Sequence, residues 1–258
     1  MKVATWNVNS LRVRLPHLID WLAANAPDVV CLQETKCEDT TFPAAELSAA
    51  GYCSVHHGQR TYNGVAILSR QEVAGVCRGI PAFADEQSRV IASDVDGVRI
   101  VSVYVPNGQS VGSDKYAYKL RWFDALATWL EAELAAHPSL IVTGDFNVAP
   151  EDRDVHDPAA WAGQVLFSEP ERAALQRLIG LGFVDAFRLF PQPEKSFSWW
   201  DYRMGAFRRN MGLRIDHVLL SRPLAGACKS CSIDVAPRKL ERPSDHAPVV
   251  CELALQST

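Results

Sequence analysis

The sequence predicts an α/β protein in which two β-sheets pack together with helices on the outside. Three observations carry this. The chain opens as a β-α-β unit, its middle is a series of short apolar runs separated by turn dipeptides, and strand-like runs outnumber helices in mixed order. A doubly wound single sheet would alternate strand and helix regularly, which this chain does not do.

Lys2 to Val8 alternates and is rich in β-formers, so it reads as a strand. Ser10 is the expected cap of a helix whose apolar positions, Leu11, Leu15, Leu18, Ile19 and Leu22, follow the 3.6 period. Pro27 and Asp28 stop that helix, and "VVCLQE" is a buried strand ending in Glu34. The runs "GYCSVHH", "NGVAILSR", "RVIASDV" and "VRIVSVYVP" follow. Asn63-Gly64 and Asp96-Gly97 punctuate them, so adjacent antiparallel strands are expected. Between Lys115 and His137 the stripe Tyr116, Leu120, Phe123, Ala127, Leu130 and Leu134 predicts a helix, closed by His137-Pro138 before the strand "LIVTGDFN". Ser168 and Glu171 have capping-box spacing, with Pro170 in the first turn and Leu175, Leu178 and Ile179 on the apolar face. "IDHVLLS" and "VVCELAL" are the closing strands.

No Pro/Gly/Ser-rich linker, low-complexity tract or repeat divides the 258 residues, so residues 1–258 read as one domain. No apolar run approaches the ~18 residues of a membrane span, and "MKVATWNVNS" lacks the apolar core of a signal peptide. Seven scattered cysteines are an odd number, which suits reduced, mostly buried thiols in the cytoplasm. Cys228 and Cys231 form a C-x-x-C with no second pair. A net charge of −4 argues against holding nucleic acid by bulk electrostatics and leaves a local basic face as the route to it. A carboxylate cluster that binds a cation would itself lower the charge.

The chemistry-bearing residues sit at strand ends. Asn7 ends the first strand, Glu34 the second, Asp145 and Asn147 follow "LIVTG", Asp216 opens "IDHVLLS", and Asp245-His246 precede the last strand. Singly, each has a structural explanation as a turn, cap or surface group. Jointly they describe a crest of strand ends, where layered α/β proteins bind ligands. The set suits metal-assisted attack on a phosphodiester. Glu34 is the first candidate ligand for Mg2+, with Asp216 or Asn7 nearby. Asp145 and His246 divide the proton work, and Asp245 is expected to fix the imidazole tautomer. Asn7 and Asn147 would donate amide hydrogens to phosphate or hold the acids. Zinc is disfavoured, because His56 and His57 are strand neighbours that point to opposite faces and His17, His137, His156 and His217 show no ligand spacing.

"ATWNVNSLR", "LQETK", "YNGVAILSR", "YVPNG", "TGDFNVAP", "FSWWDYR", "GLRIDHVLLS" and "ERPSDHAPV" resemble, in order and over nearly the whole chain, the exonuclease III branch of the endonuclease/exonuclease/phosphatase superfamily. Those enzymes are magnesium-dependent DNA-repair nucleases. The resemblance implies a four-layered α/β sandwich, with two packed mixed sheets flanked by helices. It implies a site for Mg2+, or Mn2+ in its place, at Asn7, Glu34, Asp145, Asn147, Asp216 and Asp245, with Tyr104, Asp145, Asn147, Asp245 and His246 serving the reaction. Trp199 and Leu213 are similar to the family's hydrophobic walls for a flipped-out abasic sugar.

The superfamily also holds inositol-phosphate and lipid phosphatases. "FSWWDYRMGAFRRNMGLRID" discriminates against them by interleaving Trp199, Trp200, Tyr202 and Phe207 with Arg203, Arg208, Arg209 and Arg214. Lys36, Arg60, Lys115, Lys119 and Arg121 are further candidates for gripping a duplex backbone. The expected partner is duplex DNA with abasic sites or damaged 3′ ends, met by a monomer at the nucleoid. The expected activity is AP endonuclease, 3′–5′ exonuclease and 3′-end cleaning, with a specialised 3′-end-processing enzyme as the alternative. Leu166 and Phe167 bear on that choice: they pack as core, wedge into the duplex, or fill the space a flipped sugar needs.

Overall fold

In a computed structural model, residues 1–255 of the chain are described. The elements run β1 (Lys2–Asn7), α1 (Leu11–Asn25), β2 (Val29–Gln33), α2 (Ala44–Ala49), β3 (Cys53–His57), β4 (Val65–Ser69), β5 (Ala74–Arg78), β6 (Val90–Val95), β7 (Val98–Tyr104) and α3 (Asp114–Ala136). They continue with β8 (Leu140–Asp145), α4 (Pro158–Trp161), α5 (Glu169–Gly180), β9 (Phe183–Asp185), β10 (Asp216–Ser221), α6 (Arg222–Ala225), β11 (Cys228–Ile233) and β12 (Val249–Leu253). The strands form two six-stranded sheets, ordered β11-β12-β1-β2-β4-β3 and β5-β6-β7-β8-β10-β9. Each sheet has one parallel pair, β1 with β2 across α1 and β7 with β8 across α3, and is otherwise antiparallel.

The central strands are apolar on both faces because both faces are covered. Val3, Cys31, Ile67 and Cys251 of one sheet meet Ile91, Ile100, Ile141 and Val218 of the other in the inter-sheet core. The opposite faces carry Trp6, Val30 and Leu32 against Leu18 and Leu22 of α1, and Val101, Val142 and Leu219 against Phe123, Leu126 and Leu178 of α3 and α5. Each fully buried Leu, Ile or Phe contributes roughly 1.5–3 kcal/mol. The result is the expected four-layered sandwich. No helix among the described residues is long and apolar enough to cross a membrane.

Local chemistry agrees with the sequence at some element ends and departs at others. The Ser168–Glu171 capping box opens α5, and Ser113 Oγ accepts from Tyr116 N (3.1 Å) to open α3. Ser10, in contrast, does not cap α1 through its side chain: it sits at φ 90°, and the helix entry is fixed by Ser10 N and Leu11 N donating to the Glu34 and Thr35 carbonyls. Asp96-Gly97 makes the β6–β7 hairpin with both residues at positive φ. Asn63-Gly64 instead ends a longer connection between β3 and β4. The four middle runs do pair antiparallel, but as two separate hairpins in different sheets. The edge strands β5, β9 and β11 were not foreseen: β5 holds a glycine and is mostly exposed, β9 is three residues long, and β11 is polar and largely exposed.

Register brings the functional ends together. In the first sheet Asn7 lies opposite Gln33, which precedes Glu34, and Thr5 lies opposite Val249, so the residues before β12 arrive beside Asn7. In the second sheet Asp145 lies between Tyr104 and Asp216. The two crests face each other across the inter-sheet core. Gly144 permits the close β7–β8 approach just before Asp145, since a Cβ there would lie 1.9 Å from the Val103 carbonyl oxygen.

Candidate active site

Asn7 is the bridge between the two sheets. Its Nδ2 donates to Glu34 Oε1 and to Asp145 Oδ2, both at 2.9 Å, while its Oδ1 accepts from Asn9 N (3.0 Å). Through its amide nitrogen Asn7 thus holds the two acids together. Glu34 Oε2 also pairs with Lys36 Nζ at 2.8 Å, and its charge is felt by the buried Tyr104 phenol. Burial first, then the Glu34 and Asp145 charges, push the Tyr104 phenol well above its ordinary range, so it is a neutral donor. Asp145 Oδ1 accepts from Asn147 N (2.9 Å). Asn147 is at φ 50° with its side-chain amide hydrogen-bonded at both ends, to Val105 O and Asn107. Glu34, Lys36 and Asn9 are likewise at positive φ, a concentration of non-glycine left-handed residues typical of sites that aim side chains.

His246 is buried between two carboxylates. Its Nδ1 faces Asp216 Oδ2 at 2.9 Å and Oδ1 at 3.2 Å, and its Nε2 lies 3.8 Å from Asp145 Oδ2. Ser198 Oγ donates to Asp216 Oδ2 at 2.6 Å and fixes the acid in turn. Burial works to lower the imidazole pKa, but Asp216 and Asp145 hold it above the ordinary histidine value, so the ring is charged. Burial raises Asp145 to about 7, with His246 pulling it down and Asp216 pushing it up.

This corrects the expected role of Asp245. Its oxygens accept from Asn9 Nδ2 (2.9 Å) and Trp199 Nε1 (3.0 Å), not from His246. The acid that faces the imidazole Nδ1 is Asp216. The turn before them is held by Ser244 Oγ donating to Asn7 O (2.6 Å) and by Arg14 and Tyr202 donating to Pro243 O. Asn9 and Ser198 are the residues that sequence reasoning missed. The alternation of "WNVN" placed Asn9 on the Asn7 face, whereas nothing in "FSWW" marked Ser198 before the register was known.

Among the described residues, Glu34, Asp145 and His246 are the group whose ligand atoms lie within 4.8 Å of one another. With His246 turned to Asp216, the carboxylates of Glu34 and Asp145 remain. That donor set suits one hard divalent cation whose other ligands are water and phosphate.

The expected substrate residues divide. Arg60, with Arg12 and Lys36, lines a cleft of about 580 Å³ beside Glu34. Tyr104, Asn107 and Lys115 line another of about 590 Å³. Arg121 is exposed, and Arg203 is exposed and paired with Asp201. Trp199 is half-buried and tied to Asp245. Lys119 is contradicted as a backbone grip: it is 0% exposed and paired with Glu171. Leu213 is also 0% exposed, packed with Leu166, Phe167 and Trp199, so it presents no wall to a flipped sugar. Leu166 and Phe167 are core, and Leu166 is held at φ 75°.

Residues 4–246 match the Endonuclease/Exonuclease/phosphatase family. The chain is 37% identical to exodeoxyribonuclease III of Haemophilus influenzae over 98% of this chain and 99% of that protein. It is similar to a 3′ phosphatase from Neisseria, solved bound to a product DNA hairpin, with 46% identity, a TM-score of 0.97 and coverage of 99% and 100%. An AP endonuclease from Archaeoglobus fulgidus is 40% identical, with a TM-score of 0.96 and coverage of 99% and 100%.

Proposed function

The chain belongs to the endonuclease/exonuclease/phosphatase family, and from that premise we propose that it is a Mg2+-dependent DNA-repair phosphodiesterase acting on duplex DNA. In this reading, cleaning of damaged 3′ ends comes ahead of incision at internal abasic sites. The observation that carries the reaction type is the continuous chain Glu34–Asn7–Asp145–His246–Asp216. It sets a carboxylate 3.8 Å from a charged imidazole, beside a second carboxylate free of that pair.

Glu34 would hold the cation, which when bound neutralises phosphate charge as a Lewis acid. Asp145, one Asn7 hydrogen bond away, accepts the proton of the attacking water. His246 Nε2, kept charged and aimed by Asp216, donates to the phosphate oxygen on which charge develops. Tyr104 adds a neutral O–H donor. Arg12, Lys36, Arg60 and Lys115 line the clefts on either side and would seat the duplex backbone.

The preference for 3′ ends is supported by the packing of Leu166, Phe167 and Leu213 against Trp199. A buried cluster there leaves Trp199 backed by packed side chains, with no open pocket for an extruded sugar on that side. We read residues 1–258 as one monomeric domain working on nucleoid DNA in the cytoplasm, which seven free cysteines support. The test offers three substrates with Mg2+: a duplex ending in a 3′-phosphate, a duplex with an internal abasic site, and an inositol polyphosphate. Turnover should be fastest on the first, slower on the second and absent on the third. Preference for the inositol polyphosphate would overturn the DNA reading, and faster cleavage of the internal abasic site would overturn the 3′-end preference.

A further inference from the structure

Behind the strap that carries Asp145 and Asn147 lies an ion pair with no exposed surface. Lys119 Nζ, on α3, donates to Asn147 O (2.7 Å), to Asn107 O (3.1 Å) and to Glu171 Oε1 (2.5 Å), which uses all three of its hydrogens. Glu171, at the start of α5, also accepts from Leu166 N (3.1 Å), from Ser168 N (3.2 Å) and from Ser168 Oγ. Three loops thus converge on one buried pair: the Tyr104–Asn107 strap, the Asp145–Asn147 strap and the Leu166–Ser168 loop.

We propose that Lys119 is a positioning residue for the reaction. By clamping the Asn147 and Asn107 carbonyls it keeps Asn147 in its left-handed conformation, with its backbone N–H on Asp145. Glu171 ties the loop that closes the sugar space to the same point. The inference rests on the reading of Asp145 as the group that takes the water's proton. A left-handed asparagine costs free energy unless its surroundings over-determine it, and a rigid helix supplying a cation to its carbonyl does that. Stability alone does not account for the pair, because replacing a buried ion pair by neutral groups of similar size is often close to neutral.

The test uses the full chain with Mg2+ and a 3′-phosphate duplex, well below each variant's melting temperature. In a Glu171→Gln background, which keeps the side-chain shape, adding Lys119→Met should lower kcat at least about tenfold. KM and duplex affinity should stay within about twofold, and the salt dependence of binding should not change. Lys119→Gln in the same background retains a donor and should fall between. Undiminished kcat in Lys119→Met/Glu171→Gln overturns the proposal. So does a loss carried by KM with a salt slope shallower by about one, which is the signature of a phosphate contact. If the methionine pair does not fold, the glutamine pair decides alone, and a kcat change under about twofold overturns it. Asp145→Asn, run alongside, separates the two readings: full activity there sinks the assignment of Asp145 whatever the Lys119 series shows.

Discussion

His246 takes its orientation from Asp216, 30 positions away, and not from the Asp245 next to it. Asp245 lies in a bend that turns its side chain to Asn9 and Trp199, so adjacency in "SDH" was a poor guide, and the true partner comes from the other sheet, where only the tertiary fold could place it. Asp216→Asn should therefore lower kcat by about 10²–10⁴-fold with duplex affinity kept. Asp245→Asn, which loosens Trp199 and Asn9, should cost less; the reverse order in steady-state kinetics contradicts the assignment. The same residues set the pH response. Asp145, raised to about 7 by burial, must be ionised to accept a proton, so turnover should fall as pH drops through about 7. Added Mg2+ should move that limb to lower pH, because a nearby cation favours the carboxylate. An acid limb that ignores Mg2+ concentration in pH–rate profiles would count against this. Stability follows the sign of the shifts. Between the ordinary carboxylate range and about 7, the cation-free fold binds a proton that the unfolded chain releases, so Asp145 makes the fold less stable as pH rises. His246, raised above its ordinary value, contributes stability at low pH that is lost as pH rises through its folded pKa.

At the scale of elements, helices and central strands were legible because their patterns are strong. The α3 stripe and the α5 capping box appear where the sequence put them. The edge strand β3 was legible in "GYCSVHH", but β5, β9 and β11 were not, because very short, polar or glycine-broken runs carry little period. Capping chemistry also concealed a second use: Glu171 completes the box and receives Lys119, and no spacing rule foretells a partner 52 positions away. The loop before α5 holds the clearest test of substrate choice. Leu166 sits at φ 75°, where a non-glycine residue costs about 1–2 kcal/mol, and it packs in one buried cluster with Leu213 against Trp199. Leu166→Gly should relieve that strain and open space there. The rate on an internal abasic duplex should then rise by about tenfold relative to a 3′-phosphate duplex, at a net stability loss of about 1–3 kcal/mol. An unchanged ratio means that this loop does not set the preference.

For the whole molecule, the design is two β-α-β units, one central to each sheet, whose strand ends meet. The sequence showed strands ending in Asn7, Glu34 and Asp145 but not which sheet each belonged to. For the same reason Lys119 reads as a backbone grip, and Leu213 through the family resemblance as a pocket wall, when packing hides both. With an overall charge of −4, the proposed grip on duplex DNA falls to Arg12, Lys36, Arg60 and Lys115 at the clefts flanking the site, and binding should then weaken with salt. In the proposed reaction the Glu34–Asn7–Asp145 bridge beside the Asp216-held imidazole hydrolyses phosphate esters at DNA 3′ ends. Its most direct test is the single-turnover rate of 3′-phosphate removal from a duplex as Mg2+ is added to chelator-treated protein. The rate should be negligible before addition, rise with Mg2+, and stay negligible in Asp145→Asn although that variant still binds the duplex. Turnover without a divalent cation, or undiminished turnover in Asp145→Asn, would contradict the account.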